Sequence, residues 1–196
     1  GGLEDSANEW IEIVNTSDDS VSIKDFEIID KDEQIKIVLP NILLGAGEYY
    51  VLSRNGEMSE SRLVYEGNLR NSDETLKLFN SNCALLDEAS AAPSWLAGSV
   101  KTKVTMERNL TDLSWYSSAS AGGTPGEKNS SPPVEPPSPT STPPAFTPAV
   151  SSSTILQSNV REPAIPPPAP NPELQISTVS ASNVIISEVM AGKTDN

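Results

Sequence analysis

The sequence lacks histidine entirely, and its 196 residues include a single cysteine, Cys83. Nucleophilic triads and the common acid–base relays depend on histidine, so its absence argues against an enzyme. Neither a P-loop nor a GxGxxG motif occurs. One cysteine cannot form an intrachain disulfide. The apolar runs are shorter than the roughly 18 residues that a membrane-spanning helix requires.

Proline is scarce in the first 129 residues and abundant after them. Three of the 17 prolines precede residue 130, and the other 14 lie between Pro132 and Pro172. A stretch rich in proline, serine and threonine buries too little apolar surface to offset chain entropy, so it is typical of an extended linker. The composition predicts three parts, namely a packed domain over 1–129, a linker over 130–178 and a strand-forming segment over 179–196.

Positive charge is also in short supply. The chain has 13 Lys and Arg against 27 Asp and Glu, and residues 1–129 hold 11 of the former and 22 of the latter. Contacts to phosphate provide most non-specific affinity for nucleic acid, so this acidic domain is not expected to bind it. Lys101, Lys103 and Arg108 form the nearest approach to a basic cluster, and a solvated face is its expected structure.

What is present is a series of short alternating segments separated by turn residues, which is typical of a β-sandwich or barrel. A bend is expected near Lys24 and Asp25, where the apolar alternation shifts by one residue. No apolar stripe of helical period and length occurs, so the fold class is predicted to be all-β. Strands are expected at 9–15, 21–29, 34–39, 48–53, 75–80, 84–88, 103–108 and 184–190.

Without histidine, a metal site would have to use oxygen ligands, which favours calcium over a transition metal. No cofactor is predicted, because neither acidic candidate cluster has the spacing of a calcium loop. The two clusters that could still bind calcium are Asp30 with Asp32 and Glu33, and Asp195 and Asn196 with Glu4 and Asp5 if the chain ends meet.

Several segments occur in an order that resembles the lamin-tail domain, an immunoglobulin-like β-sandwich found in nuclear lamins and in bacterial surface or secreted proteins. The first strand of that family is similar to residues 184–190, V-I-I-S-E-V-M. The resemblance covers 1–129 and 183–196. Its segments are 9–15, 21–28, 43–52, 73–78, 86–87, 106–108, Trp115 and 124–126 with Asn129.

The resemblance implies structural roles for the recurring residues, and no catalytic or cofactor-binding residue is predicted. Tryptophans are expected to fill the core or cover an edge, and Glu12 and Glu188 to face solvent or to pair with a lysine or Arg108. Glu107 and Arg108 are expected to hydrogen-bond to a neighbouring turn, and 124–126 to close the sandwich. The structural residues are Trp10, Glu12, Asn15, Glu107, Arg108, Trp115, Pro125, Gly126 and Glu188.

The resemblance and the linker together imply a non-catalytic interaction or spacer module of a bacterial protein, extracellular or at the cell surface, whose partner is a protein or a cell-surface polymer. The alternative is an accessory domain that positions a hydrolase or nuclease elsewhere in a longer polypeptide. Phe26 stands where the family usually has tryptophan, and no coiled-coil rod is present. A filament-forming role is therefore not expected.

The position of 184–190 leaves two interpretations open. Residues 1–129 lack the first strand of the family, so an edge and a gap in the core would be exposed. Residues 184–190 either begin a second copy of the domain or complete the first copy by strand addition. Closure within the chain is the expected outcome, and strand exchange with another copy is its competitor.

Overall fold

The computed structural model describes residues 8–56, 58–132 and 183–192, and no residue in these ranges is helical. The all-β prediction is therefore confirmed. Within the same ranges, no helix exists that could cross a membrane. The strands are β1 Trp10–Asn15, β2 Val21–Ser22, β3 Glu27–Ile29, β4 Lys36–Val38, β5 Leu43–Leu44, β6 Tyr49–Ser53, β7 Ser61–Val64, β8 Glu74–Phe79, β9 Leu85–Ala91, β10 Val104–Arg108, β11 Trp115–Ala121 and β12 Val184–Met190.

The strands form two main sheets that pack as an immunoglobulin-like sandwich. The larger sheet has the order β11-β10-β12-β1-β6-β7, and the smaller has the order β4-β3-β8-β9. A short pair, β2 with β5, forms a third sheet. The pairings are antiparallel except between β6 and β7. Alternate residues of each strand point inward, because side chains in a strand alternate between its two faces.

The core lies between the two main sheets. Ile11 and Ile13 of β1 point inward from the larger sheet, and Leu76 and Leu78 of β8 point inward from the smaller one. All four are completely buried. Burying each such side chain stabilises the fold by about 1.5–3 kcal/mol relative to leaving it exposed.

Strand β12 lies between β1 and β10 of the same chain. Its register with β1 runs from Trp10 opposite Met190 to Asn15 opposite Val184. On its other side, β10 pairs only with Glu188 and Val189. Val184, Ile186 and Val189 enter the core. The structure thus shows the intramolecular arrangement, with β12 in the same compact unit as the strands before it. The linker expected over 130–178 lies outside the described residues beyond Pro132.

The predicted strand over 21–29 is divided in two. Asp25 has φ of 59°, and the Phe26 N–H donates to the Ile23 carbonyl, so the chain turns where a bend was expected. As a result, β2 pairs with β5 and β3 pairs with β4 and β8. The sequence does not predict strands β5, β7 and β11. Two of them are short, and the sequence of β11, WYSSASA, lacks an apolar alternation.

The predicted hairpin between 75 and 88 is present as β8 and β9. Its turn places Cys83 at φ of 58°, a left-handed conformation that side chains other than glycine adopt at some cost. The Cys83 thiol is free and exposed.

Candidate functional site

Three glutamates form a row across the outer face of the larger sheet. Glu188 of β12 lies directly opposite Glu12 of β1 on one side and Glu107 of β10 on the other. Residues opposite each other in neighbouring strands share a face, so the three carboxylates are adjacent. All three residues are fully buried. We refer to Glu12, Glu107 and Glu188 as the glutamate row.

A β-bulge in β12 places the central glutamate on this face. The register shifts between Glu12 and Ile13, so Glu12 is opposite Glu188 while Ile13 is opposite Ile186. Ser187 is therefore the additional residue. Its hydroxyl donates to Glu12 Oε1 over 2.7 Å. The bulge lets Ile186 and Val189 both reach the core while Ser187 and Glu188 meet Glu12.

Residues 122–130, which we call the closing segment, cover the glutamate row. Their backbone amides donate to each carboxylate in turn. Thr124 N–H lies 3.2 and 3.3 Å from the two Glu188 oxygens, and Gly126 N–H lies 2.6 Å from Glu12 Oε2. Ser130 N–H donates to Glu107 Oε2 over 2.9 Å. The row thus fixes the closing segment at three points along its length.

Side-chain hydroxyls complete the hydrogen bonding of the row. Thr124 Oγ1 lies 3.0 Å from Glu107 Oε1 and 3.2 Å from Glu188 Oε2. The hydroxyls of Thr105 and Ser130 donate to Glu188 and Glu107 respectively. Buried polar atoms need such partners, because an unpaired one costs about 1–3 kcal/mol.

The closing segment contains a tight turn that presents its amides to the row. Glu127 N–H donates to the Thr124 carbonyl over 3.0 Å, with Pro125 and Gly126 between them. Gly126 has φ of 79°, which is the geometry of a type II turn. Gly123 is also required, because a Cβ there would overlap Glu188 Oε1 and the Thr105 side chain. Pro125 and Gly126 therefore lie where the closing turn was predicted.

Burial raises the pKa of Glu12 to about 7 and that of Glu188 to about 8. Neighbouring carboxylates of the row act in the same direction, whereas the hydrogen bonds from Gly126, Ser187, Thr105 and Thr124 oppose the rise. Removal from water disfavours the charged form, and this effect is the largest one here. Around neutral pH, Glu12 and Glu188 therefore hold protons that exposed carboxylates would have released.

This placement differs from the expectation that Glu12 and Glu188 face solvent or pair with a lysine or Arg108. Arg108 instead pairs with Asp87 of β9, whose Oδ2 and Oδ1 both accept from Arg108 Nη1, at 2.7 and 3.0 Å. Its guanidinium also stacks over the half-buried Trp115 ring at 4.7 Å. Arg108 is only 8% exposed, so it does not belong to the solvated face predicted together with Lys101 and Lys103.

Asp87 also binds the part of β12 that does not pair with β10. Its Oδ2 accepts the Ile186 N–H over 2.8 Å, just beyond the ladder between β10 and β12. Since Asp87 belongs to the smaller sheet, this contact joins the two sheets through β12. Asn129 Nδ2 donates to the Ser187 and Arg108 carbonyls at 3.0 Å and so fixes the bulge from outside.

Strand β1 is held at both of its ends. Trp10 is buried, and Asn15 donates from Nδ2 to the carbonyls of Leu44, Gly45 and Asp19. Before the strand, Glu9 accepts the Leu69 N–H over 3.0 Å, and burial raises the pKa of Glu9 to about 7. The sequence interpretation missed Glu9, Asp87 and Thr105, because only their tertiary partners distinguish them from other polar residues of strands.

The calcium candidates have other partners. Asp30 Oδ1 accepts the Ile35 N–H over 2.9 Å, Asp32 pairs with Arg70, and Glu33 occupies a turn with φ of 57°. In residues 8–56, 58–132 and 183–192, no group of three or more acidic or cysteine side chains could hold a metal ion. The second candidate, at the chain ends, lies outside the described residues. The absence of a bound cofactor stays a prediction, and a melting temperature that changes when calcium is removed by chelator would contradict it.

The glutamate row is suited to binding the backbone amides of the closing segment rather than to acid–base chemistry. A catalytic acid or base must come within hydrogen-bonding distance of its substrate. Glu12 and Glu188, whose pKa values are raised into the range useful for such chemistry, are instead buried under the closing segment.

Comparison with known proteins supports the family suggested by the sequence. Residues 2–92 match the family described as Lamin Tail Domain, and this range includes β1 to β9. No curated protein matches the chain. Domains of this type are immunoglobulin-like and generally act as non-catalytic interaction modules. The match over residues 2–92 supports assigning the sandwich to the lamin-tail domain family.

Proposed function

We propose that this chain is a non-catalytic interaction or spacer module of a bacterial cell-surface or secreted protein, and that its partner is a protein or a cell-surface polymer. The observation that carries the proposal is the burial of Glu9, Glu12 and Glu188, all at most 1% exposed. These are the carboxyls whose pKa values rise toward neutrality, and each is hydrogen-bonded to backbone. The acids best tuned for catalysis are thus used in stabilising the fold.

Composition supports the same proposal. A long segment rich in proline, serine and threonine is typical of spacers between modules of surface proteins. The acidic balance of 22 Asp and Glu against 11 Lys and Arg in residues 1–129 disfavours nucleic acid as the partner. Measurable affinity for duplex DNA at physiological salt would contradict that part of the proposal.

Protease treatment of intact cells that make the protein would test the location. We expect peptides from residues 8–132 in the medium or released from intact cells, with a cytoplasmic marker protein retained as the control. Release only after lysis would contradict the proposal. The accessory-domain alternative gives a different result, because a hydrolase or nuclease domain would be joined to the same polypeptide and its activity would co-purify with the intact chain from cells not treated with protease.

A further inference from the structure

Strand β12 is joined to the rest of the sandwich through a long stretch of chain. Fifty residues separate Pro132 from Asn183. Beyond residues 184–190 themselves, Asn183 accepts the Thr16 N–H at its carbonyl over 2.8 Å, Ala191 packs against the core, and the Gly192 N–H donates to the Glu9 carboxylate. Residues 183–192 therefore carry the described contacts that place the strand.

The cleft between β1 and β10 selects its strand by shape on the inner side. Val184, Ile186 and Val189 each lie in the core at no more than 2% exposure. Ile186 lies opposite Ile13, and Val189 lies between Ile11 and Met106. A strand with polar side chains at these positions would bury unpaired polar groups, at a cost of about 1–3 kcal/mol for each group.

On the outer side, the cleft selects by hydrogen bonding. Glu188 accepts from Thr105 Oγ1 and from the Thr124 amide, and Ser187 donates to Glu12. The cleft thus offers donors where Glu188 lies and an acceptor where Ser187 lies. This pattern fits a strand with a Ser-Glu pair at a bulge, and it leaves donors unpaired beneath most other sequences.

We propose that the cleft between β1 and β10 also accepts β12 from a second copy of this chain, and that Glu188 is the side chain that selects the incoming strand. Reciprocal exchange gives a closed dimer, and one-way exchange gives an open chain of molecules. Because the described contacts of the cleft are with residues 183–192, the same contacts form whether the strand comes from its own chain or from another. Exchange competes with an effective concentration of order millimolar for the chain's own strand.

Two complementary full-length variants remove that competition. Ile186→Asp disables the strand and keeps the cleft, whereas Ile13→Asp disables the cleft and keeps the strand. The two isoleucines face each other in the core and are completely buried. The exposed Cys83 thiol carries a donor dye on one variant and an acceptor dye on the other. We expect a one-to-one complex with energy transfer and a cooperative unfolding transition that neither variant shows alone.

The double variant Ile13→Asp with Ile186→Asp serves as the control donor, since it keeps the damaged cleft and also lacks a usable strand. It should give no complex with the Ile186→Asp chain. Adding Glu188→Ala to the Ile13→Asp donor should weaken the complex by about tenfold or more, whereas adding Glu66→Ala at an exposed position should not.

A mixture that behaves as the sum of the two separate chains would overturn the proposal, even where each variant alone is unfolded. A complex that is equally tight with the Glu188→Ala donor would overturn the role of Glu188. Neither result bears on the cellular location tested above, so the two proposals fail independently.

Discussion

At the scale of single residues, a buried carboxylate is tolerated when it is protonated or fully hydrogen-bonded, and the glutamate row uses both means. Seven described donors from the chain reach the row, and burial raises the pKa of Glu12 and Glu188. Since these hydrogen bonds come from the closing segment, from β10 and from the bulge of β12, the protonation of the row and the packing of these segments are linked.

The first prediction is that stability decreases as pH rises. Glu188 releases its proton near pH 8 in the folded chain and near 4.5 when unfolded, so the folded state binds more protons between these values. Its stabilisation is complete below the lower value and is lost as pH rises through the higher one. The free energy of unfolding should fall by on the order of a few kcal/mol from about pH 5 to about pH 9, measured by urea unfolding.

The substitution Glu188→Gln should make this pH profile less steep, because glutamine cannot titrate and has nearly the same shape, while Glu9 and Glu12 keep their own contributions. Glu66→Gln, at an exposed position, is the matched control and should keep the wild-type slope. If Glu188→Gln unfolds with the same pH dependence as the wild type, titration of Glu188 does not contribute to the pH dependence of stability.

A second residue-scale prediction concerns Gly123. Gly122 and Gly123 both have positive φ, at 86° and 67°, so alanine strains the backbone at either position. Only at Gly123 does a Cβ meet the glutamate row, whereas nothing lies within 4 Å of a Cβ at Gly122. Gly123→Ala should therefore destabilise the chain by about 1–3 kcal/mol more than Gly122→Ala, as measured by urea midpoints. If both substitutions lower the free energy of unfolding equally, the closing segment does not pack tightly against Glu188 at Gly123.

At the scale of elements, β12 is bound along its inner face, along its outer face and at its open edge. Asp87 provides the edge contact by accepting the Ile186 N–H while it pairs with Arg108. Both side chains of the pair are 10% exposed. Removing one partner of a buried ion pair costs more than the pair contributes, because the other charge is left uncompensated.

Asp87→Ala should therefore lower the free energy of unfolding by about 3–5 kcal/mol. Asp87→Asn retains an acceptor for the Ile186 amide and should cost less. The neighbouring Glu88, half-exposed and 4.0 Å from Lys77, is the control, and its replacement by alanine should change stability by less than about 0.5 kcal/mol. Chemical denaturation of the variants gives the comparison, and an Asp87→Ala chain as stable as Glu88→Ala would contradict the role of this contact.

The sequence predicts elements well where the pattern is local. Residues 184–190 are rich in β-branched apolar side chains, and the sequence predicts this strand with its observed bounds. The Cys83 turn was likewise recognisable from its flanking strands. In contrast, the burial of Glu188 depends on a closing segment more than fifty residues earlier in the chain, so a local pattern makes it resemble a solvent-facing residue. Strand β11 forms through pairing with β10 rather than through its own propensity.

At the scale of the whole molecule, the larger sheet is continuous only because β12 joins β1 to β10. Removing residues 180–196 would expose two strand edges and the core side chains beneath them. We expect this deletion to abolish cooperative thermal unfolding or to cause aggregation, and deletion of 193–196 alone, which leaves β12 intact, to have little effect. Calorimetry compares the two, and an unchanged melting curve after the larger deletion would contradict the fold-completing role of β12.

Amide hydrogen exchange of Val184–Met190 in the intact chain tests the central claim most directly. If β12 completes the sheet of its own chain, its hydrogen-bonded amides should exchange as slowly as those of Trp10–Asn15, because both strands open only with the sandwich. The protection should not change with protein concentration in the micromolar range, since closure occurs within one chain. Exchange of β12 at the rate of an unprotected peptide, while β1 remains protected, would contradict the account.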